Sequence, residues 1–349
     1  MNQKRTKRHP NAPWLRSEPG FSLIELMVSL GIFSIVSLAA FSVLSSSQKT
    51  AVMNDQTVQV QRNVRLAVDL ISRDLRMAGY GNPAAGVLAA CPNHMNPTNS
   101  STGSDKISVM TIDQPIGTLT SAFTTGSTIT VSGLASDAAN GDLVTLEGIF
   151  TGLVTVSGSQ LTFATSITSL QRIPAGTQVI RLTCVTYTVT GADGKVGGAG
   201  TVFAPYQLLR NTTASATNAV PIVDGIESLQ LAYAVDEDKD GKIDDKNGSG
   251  TFDSGDFLST IPSSVNATPT SARQVRVTVV GRAIPPAAAN TPNNCWYDSD
   301  FKSGAAVNAE DLALAEPVQP STCPAPRVTG GIRRRVLSRI VSLRDAYTL

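Results

Sequence analysis

The chain has 349 residues and a formal net charge of +1, and this charge is unevenly distributed. Residues 1–20 hold five basic residues and one acid, so the remainder has a net charge of −3 and lacks the clustered basic residues of a nucleic-acid-binding surface. The two histidines, His9 and His94, and the absence of a CxxC pair argue against a zinc site and against a hydrolase triad.

An apolar segment follows the basic N-terminus and spans residues 21–44, with Glu25 as its one charge. A basic segment before an apolar run places the basic end in the cytoplasm. The length fits a membrane anchor, which needs about 20 residues, better than a secretory signal peptide with an apolar core of about 7–15 residues. Neither class of segment explains Glu25, because a carboxylate at the bilayer centre costs about 2.5–3.5 kcal/mol.

The sequence around this glutamate, GFSLIE at residues 20–25, resembles the processing site of type IV prepilins. The resemblance implies that residues 1–20 are a leader, that a prepilin peptidase cuts between Gly20 and Phe21, and that the new amine is methylated. Glu25 then becomes the fifth residue of the mature chain. Its carboxylate can pair with the N-terminal amine of a neighbouring subunit, and the best-attested use of such a buried pair is to fix register.

A helical pattern continues beyond the apolar segment. Apolar residues recur every three or four positions, as on one face of a helix, at Val60, Val64, Ala67, Ile71, Leu75 and Ala78. Arg65–Asp69 and Asp69–Arg73 are spaced as i,i+4 ion pairs, and GYGNP at residues 79–83 is a stop signal. We expect one helix over residues 21–82, with residues 21–44 in the membrane or filament core and an amphipathic second half packed on a globular head.

Three further segments resemble the PilW family of minor pilins: DLISRDLRMAGY at residues 69–80, residues 223–236, and RRRVLSRIVSLRDA at residues 333–346. The resemblance implies an α+β, type IV pilin-like fold, in which the long helix packs on an antiparallel β-sheet head. In this family a short helix at the position of residues 223–236 leads into a strand and an acidic loop. We expect Ile226, Leu229 and Leu231 in the core, with Asp224 and Glu227 solvated.

Residues 83–185 form a β-rich region and are interpreted as an insertion. Short segments rich in β-branched residues predict strands at residues 107–112, 128–131, 143–146, 154–156 and 183–189. The pilin-like head then occupies residues 186–349, with an acidic loop at 236–256. Its C-terminal strands lie at residues 272–282, with Val275, Val277 and Val279 on one face, and at 333–344, with the arginines pointing outward.

Four cysteines, Cys91, Cys184, Cys295 and Cys323, predict two disulfides, because an even count in an exported protein favours a disulfide framework. Sequence alone leaves three pairings open. The pairing that contains Cys295–Cys323 is favoured, since both residues lie in one stretch rich in proline and asparagine.

The acidic segment DEDKDGKIDD at residues 236–245 has the spacing of an EF-hand-like loop, with acids at positions 1, 3, 5 and 9 and glycine at position 6. Position 12 is Asn247 instead of glutamate, so a last ligand has to come from Asp245, Asp253, Asp256 or water. A solvated acidic turn is the alternative interpretation. The motif predicts a structural Ca²⁺ site whose candidate ligands are Asp236, Asp238, Asp240, the Lys242 carbonyl, Asp244 and Asp245.

Together these features predict a minor pilin, and not an enzyme, that initiates, assembles or caps a type IV pilus. The implied partners are the prepilin peptidase, major and minor pilins, a candidate tip adhesin and the inner membrane, without nucleic acid. The chain is expected in the inner membrane as a single-pass protein with a periplasmic head, and later in the pilus at the cell surface. Two alternatives stay open: a minor pseudopilin of type II secretion, and a membrane-anchored adhesin that binds through residues 90–180.

Overall fold

The computed structural model describes residues 22–81, 91, 95–101, 103–167, 172–190, 206–212, 219–238, 240–261, 272–282, 307–310, 312–314 and 334–343. The chain divides into two units, residues 1–55 and residues 56–349. One long helix, α1, spans Leu23–Arg76. In chain order the strands are β1 Met95–Thr98, β2 Lys106–Leu119, β3 Gly126–Ser132, β4 Leu143–Leu146, β5 Phe150–Ser157, β6 Gln160–Ile167, β7 Gln178–Thr190, β8 Gln207–Asn211, β9 Val220–Asp224, β10 Ile226–Val235, β11 Ala272–Arg282, β12 Val307–Ala309, β13 Leu312–Leu314 and β14 Arg334–Ser342.

The first half of α1 is apolar and exposed on all sides. Leu23, Phe33 and Phe41 expose 79%, 68% and 71% of their surface, and the same holds for the other large apolar side chains of residues 23–44. Ser29 and Ser34 donate their hydroxyls to the carbonyls of Leu26 and Leu30, so these polar groups are satisfied within the helix. The segment is long and apolar enough to cross a membrane.

The second half of α1 buries one stripe in the core of the head. Val60, Val64, Ala67, Ile71 and Leu75 are all at most 5% exposed, as the periodicity predicts. The helix ends at Arg76 and is followed by turns through residue 81, where two glycines adopt positive φ angles of 81° and 82°. The predicted glycine stop signal follows the helix, but the helix ends six residues before the expected boundary at residue 82.

Two antiparallel sheets share this core. The first contains β1, β2, β7, β8 and β9 as neighbours, and the second has the order β10-β11-β14. Asp105, which precedes β2, accepts the backbone N–H of Leu231 in β10 at 2.8 Å and donates its own N–H to the Leu229 carbonyl, so it joins the two sheets. The predicted α+β pilin-like fold is confirmed, and Val275, Val277 and Val279 of β11 are fully buried in the cluster that contains the α1 stripe.

The far halves of β2 and β7 belong to a closed barrel. Pairings run β2-β3-β6-β5-β4-β7, and β7 pairs again with β2, so six antiparallel strands close on themselves. Each strand contributes to an apolar interior, which includes Ile116, Val131, Leu146, Val154, Phe163 and Val179. The predicted strands at 107–112, 128–131, 143–146, 154–156 and 183–189 all lie within strands of the structure. The region predicted as an insertion thus contains a filled barrel whose strands β2 and β7 continue into the head, and the predicted 185/186 boundary falls inside β7.

A disulfide between Cys91 and Cys184 fastens the region after α1 to β7. Both cysteines are buried in a small cluster with Met110, Leu143 and Leu182. This bond agrees with one of the three pairings that sequence leaves open, the one that also contains Cys295–Cys323. Those two cysteines lie outside the residues that the structure describes, so their pairing stays a prediction.

The turn after α1 is also fixed to the barrel. The Thr151 hydroxyl donates to the Gly81 carbonyl at 2.5 Å, and its oxygen lies 2.8 Å from the Thr145 hydroxyl oxygen. A Cβ at Gly81 would lie 2.8 Å from the Thr151 oxygen and 2.9 Å from that of Thr145, so only glycine fits this close approach. The turn after α1 and the β4–β5 hairpin are therefore in direct contact.

Several local predictions are wrong. Residues 223–236 contain no helix, because Gly225 adopts a φ angle of 72° and turns β9 directly into β10. Glu227 is not solvated: its side chain is 8% exposed and pairs with Arg334 at 2.6 Å, whose side chain is 7% exposed, so this arginine of β14 does not point outward. On α1 the two i,i+4 pairs do not form, since Asp69 pairs with Arg339 and Arg73 contacts Asp74.

Candidate functional site

Glu25 lies in the first turn of α1 and is exposed. It is the one charged side chain of residues 23–44, and its backbone N–H donates to the Ser22 carbonyl at 3.0 Å. A carboxylate at this end of a helix is favoured by the helix dipole. Gly20 and Phe21, the other predicted processing residues, lie outside the residues that the structure describes.

The acidic loop follows β10 and brings three of the predicted ligands together. Carboxylate oxygens of Asp236, Asp238 and Asp244 lie within 4.8 Å of one another. Asp236 is 1% exposed, and its Oδ2 accepts the N–H of Gly241, the residue of the sharp turn, at 3.2 Å. Oxygen ligands in a tight turn have the chemistry that Ca²⁺ prefers.

Two protein cations already contact this group. Arg273 Nη2 lies 2.5 Å from Asp236 Oδ2, and Lys246 Nζ lies 3.0 Å from Asp244 Oδ2 and 2.9 Å from Glu237. Burial lowers the pKa of Lys246, but the ion pairs outweigh it and the pKa is raised. Arg273 and Lys246 therefore already neutralise part of the negative charge of this three-carboxylate group.

The other predicted ligands hold the loop backbone instead. Asp240 Oδ1 accepts the N–H of Lys242 at 2.7 Å, and Asp245 accepts the N–H groups of residues 248, 249 and 250. Asp256, fully buried, accepts those of residues 246, 247 and 253. The hydrogen bond from the Asp253 N–H leads the contacts that lower the pKa of Asp256. These carboxylates shape the turns around the three-carboxylate group.

One site in the head was not predicted from the sequence. Asp74, on the core side of α1 and 3% exposed, accepts the Tyr187 hydroxyl at 2.7 Å and Arg210 Nη2 at 3.2 Å. Burial, followed by the charge of Asp74, raises the pKa of Tyr187. The signal that the sequence offered for this site was an acidic residue directly before Leu75, which belongs to the apolar stripe. The last turn of α1 thus supplies the carboxylate that locks this helix to β7 and β8.

Two family models match the chain. The prokaryotic N-terminal methylation motif covers residues 15–41, and type IV pilus-assembly protein W (PilW) covers residues 186–345. No curated protein and no solved structure matches the chain. The second match contains the three-stranded sheet and the acidic loop, whereas most of the barrel lies between the two matches. The motif at the exposed apolar helix and the match on the head support the resemblance of the chain to PilW-like pilins.

Proposed function

We propose that this protein is a minor pilin that is cut and methylated by a prepilin peptidase and helps to initiate, assemble or cap a type IV pilus. The family supports the coarser statement, a structural role in pilus assembly. The observation that carries the finer proposal is Glu25, a lone carboxylate in an apolar helical segment whose side chains are all exposed.

The physical reason is the environment that this segment needs. Apolar side chains exposed to this extent have to leave water, either in a bilayer or in a bundle of helices. In a bilayer Glu25 only adds cost, whereas in a bundle it can pair with the N-terminal amine of an adjacent mature chain. The proposal therefore places the head in the periplasm before assembly and gives Glu25 its role when α1 leaves the membrane.

The test compares Glu25→Ala and Glu25→Gln with Ser29→Ala, a matched change one turn away in the same segment. Mass spectrometry of the N-terminal peptide from membranes and from sheared pili is the measurement. We expect wild-type chains that begin at methylated Phe21 in both fractions, and Glu25 variants that are cut but absent from pili. A chain that keeps Met1, or a Glu25→Ala chain that enters pili at the wild-type level, would overturn the proposal.

The alternatives predict other results in the same strains. A pseudopilin of type II secretion would be dispensable for pili and required for secretion. An adhesin would be dispensable for assembly and required for attachment. Its binding surface would be the outside of the barrel, because side chains fill the interior.

We also propose that the acidic loop binds one structural Ca²⁺, because carboxylate oxygens of Asp236, Asp238 and Asp244 lie close together. Calcium is expected to raise the melting temperature of the full chain relative to chelator, and Asp238→Ala to abolish this difference. Asp55→Ala, an exposed acid on α1, is the control and should keep it. The absence of a calcium-dependent shift in the wild type would contradict the proposal.

A further inference from the structure

The exposed face of α1 in the head carries four arginines, a cluster that was not predicted from the sequence. At spacings of four, three, four, four and three residues, the helix presents Val58, Arg62, Arg65, Asp69, Arg73 and Arg76 to solvent. This stripe has four cations and one anion. It lies opposite the buried stripe that begins at Val60.

The head does not neutralise this charge. Asp69 is paired with Arg339 of β14, and Arg73 contacts Asp74, which is already held by Arg210. Within the part of the chain that the structure describes, Arg62, Arg65 and Arg76 form no ion pair. Arg62 and Arg65 are like charges three residues apart on one helix, as are Arg73 and Arg76, so their mutual repulsion opposes the helix in the isolated protein.

Strand β14 extends the basic surface beside the helix. Leu337 and Val341 point into the shared core. Side chains two residues apart lie on the same face of a strand, so Arg335 and Arg339 lie on this face as well. Arg335 is exposed, and the Arg339 side chain is 39% exposed even in its pair with Asp69. The α1 stripe and the outer strand of the three-stranded sheet thus form one surface.

Large apolar side chains lie among these cations. Leu66 is 48% exposed and Val58 is 52% exposed, next to the arginines of the stripe. Arginine together with exposed apolar side chains is typical of protein–protein interfaces, where the aliphatic stems pack and the guanidinium groups bind carboxylates. A surface built only for phosphate contacts gains nothing from the leucine and the valine.

We infer that this surface, the arginine face, docks against an acidic surface of another pilin-type subunit in the same assembly. This inference rests on the proposed function, because α1 also carries the apolar segment through which a pilin packs with its neighbours. Charge complementarity selects the partner: the docked subunit supplies carboxylates opposite the unpaired arginines. The arginine face consists of Val58, Arg62, Arg65, Leu66, Arg73, Arg76, Arg335 and Arg339.

The experiment places a photo-crosslinking benzoylphenylalanine at Leu66 of the full chain in its own host. The double variant Arg62→Glu/Arg65→Glu is compared with Arg172→Glu, an exposed arginine outside this surface. We expect an adduct with a second protein that has the N-terminal methylation motif, crosslinked within a segment rich in Asp and Glu. Like-charge contacts across an interface cost several kcal/mol, so the double reversal should lower the yield at least about tenfold. The Arg172 variant should retain it.

Two further comparisons distinguish a loss of charge complementarity from misfolding of the variant. The neutral Arg62→Gln/Arg65→Gln chain should lower the yield less, and intact oxidation of Cys91–Cys184 reports a folded head. Exchange of the crosslinked partner acids for arginine should restore the adduct to the double reversal. An undiminished yield in the folded double reversal, or an adduct with nucleic acid, would overturn the inference.

Failure here is distinguishable from failure of the proposed function. If Glu25→Ala chains enter pili normally while the adduct still depends on the arginines, the pilus role is wrong and the docking surface stands. If Glu25 is required for entry into pili but the yield of the adduct is unchanged by charge reversal, the docking surface alone is wrong.

Discussion

Asp74→Asn is the sharpest test of how the head holds α1. Asparagine keeps the shape of the side chain and an oxygen for the Tyr187 hydroxyl, but it removes the charge that faces Arg210. The Asp74 side chain is 4% exposed and that of Arg210 is 26% exposed, so the pair lies between a surface and a buried ion pair. Exposed pairs contribute about 0.2–1 kcal/mol, whereas breaking a buried pair costs about 3–5 kcal/mol.

We therefore expect Asp74→Asn to lower the free energy of unfolding by about 2–3 kcal/mol, between these limits. Tyr187→Phe removes one hydrogen bond to a charged acceptor and should cost about 1.5–3 kcal/mol. Because both changes act on one carboxylate, the double variant should deviate from additivity by about 0.5–3 kcal/mol.

The assay is urea unfolding of the full chain in detergent, followed by circular dichroism of the β-sheet head. Asp69→Asn is the matched control, since its carboxylate lies on the same helix and pairs with Arg339 while 59% exposed. A loss of at most about 1 kcal/mol is expected there. If Asp74→Asn and Asp69→Asn unfold at the same urea concentration, the lock does not carry the stability assigned to it.

Three other predictions concern separate contacts. A Cβ at Gly281 would lie 2.3 Å from Val64 Cγ2, so Gly281→Ala should destabilise the head by about 1–3 kcal/mol in urea unfolding, and adding Val64→Ala should recover part of this loss. Asp256 has a lowered pKa, so its stabilising contribution is present above its ordinary pKa of 3.8 and is lost as the pH falls through the pKa of the folded protein. Amide hydrogen exchange in the acidic loop should accelerate in that acidic range. Asp256→Asn should remove this acid-dependent step. Cys91→Ser should cost about 2–5 kcal/mol in the same unfolding assay, because the Cys91–Cys184 bond closes a long loop, and equal stability of the reduced and oxidised wild type would contradict it.

Periodic patterns predicted much of the fold from sequence. The stripe from Val60 to Ala78, the glycine stop and the valines of β11 follow spacing rules that local chain geometry enforces. The short strands of the insertion were also predicted, because β-branched residues between turn residues identify them. Barrel closure was not, since it depends on β7 pairing with β2, and no local pattern specifies which distant strands meet.

The errors at the site have a common physical origin. Glu227 and Asp74 were given no buried role because acids are usually solvated, yet each meets an arginine distant in sequence. In the acidic loop the spacing identified Asp236, Asp238 and Asp244, but it could not show that Arg273 approaches from β11. Sequence spacing reports neighbours along the chain, whereas these partners are set by the folded sheet.

The way in which the barrel joins the head makes it an exchangeable module. The chain enters along β2 and returns along β7, and Ile112 and Leu182 face each other across the two strands. A two-residue Asn-Gly turn can join antiparallel strands at such a position, so residues 113–181 can be replaced, with loss of the contacts that Thr145 and Thr151 make to the turn after α1. Arg181 and its three aspartate partners all lie within this segment, so its removal leaves none of these charges unpaired in the head. The same junction allows a surface module to grow or change while the lock at Asp74, whose partners Tyr187 and Arg210 lie outside this segment, is retained.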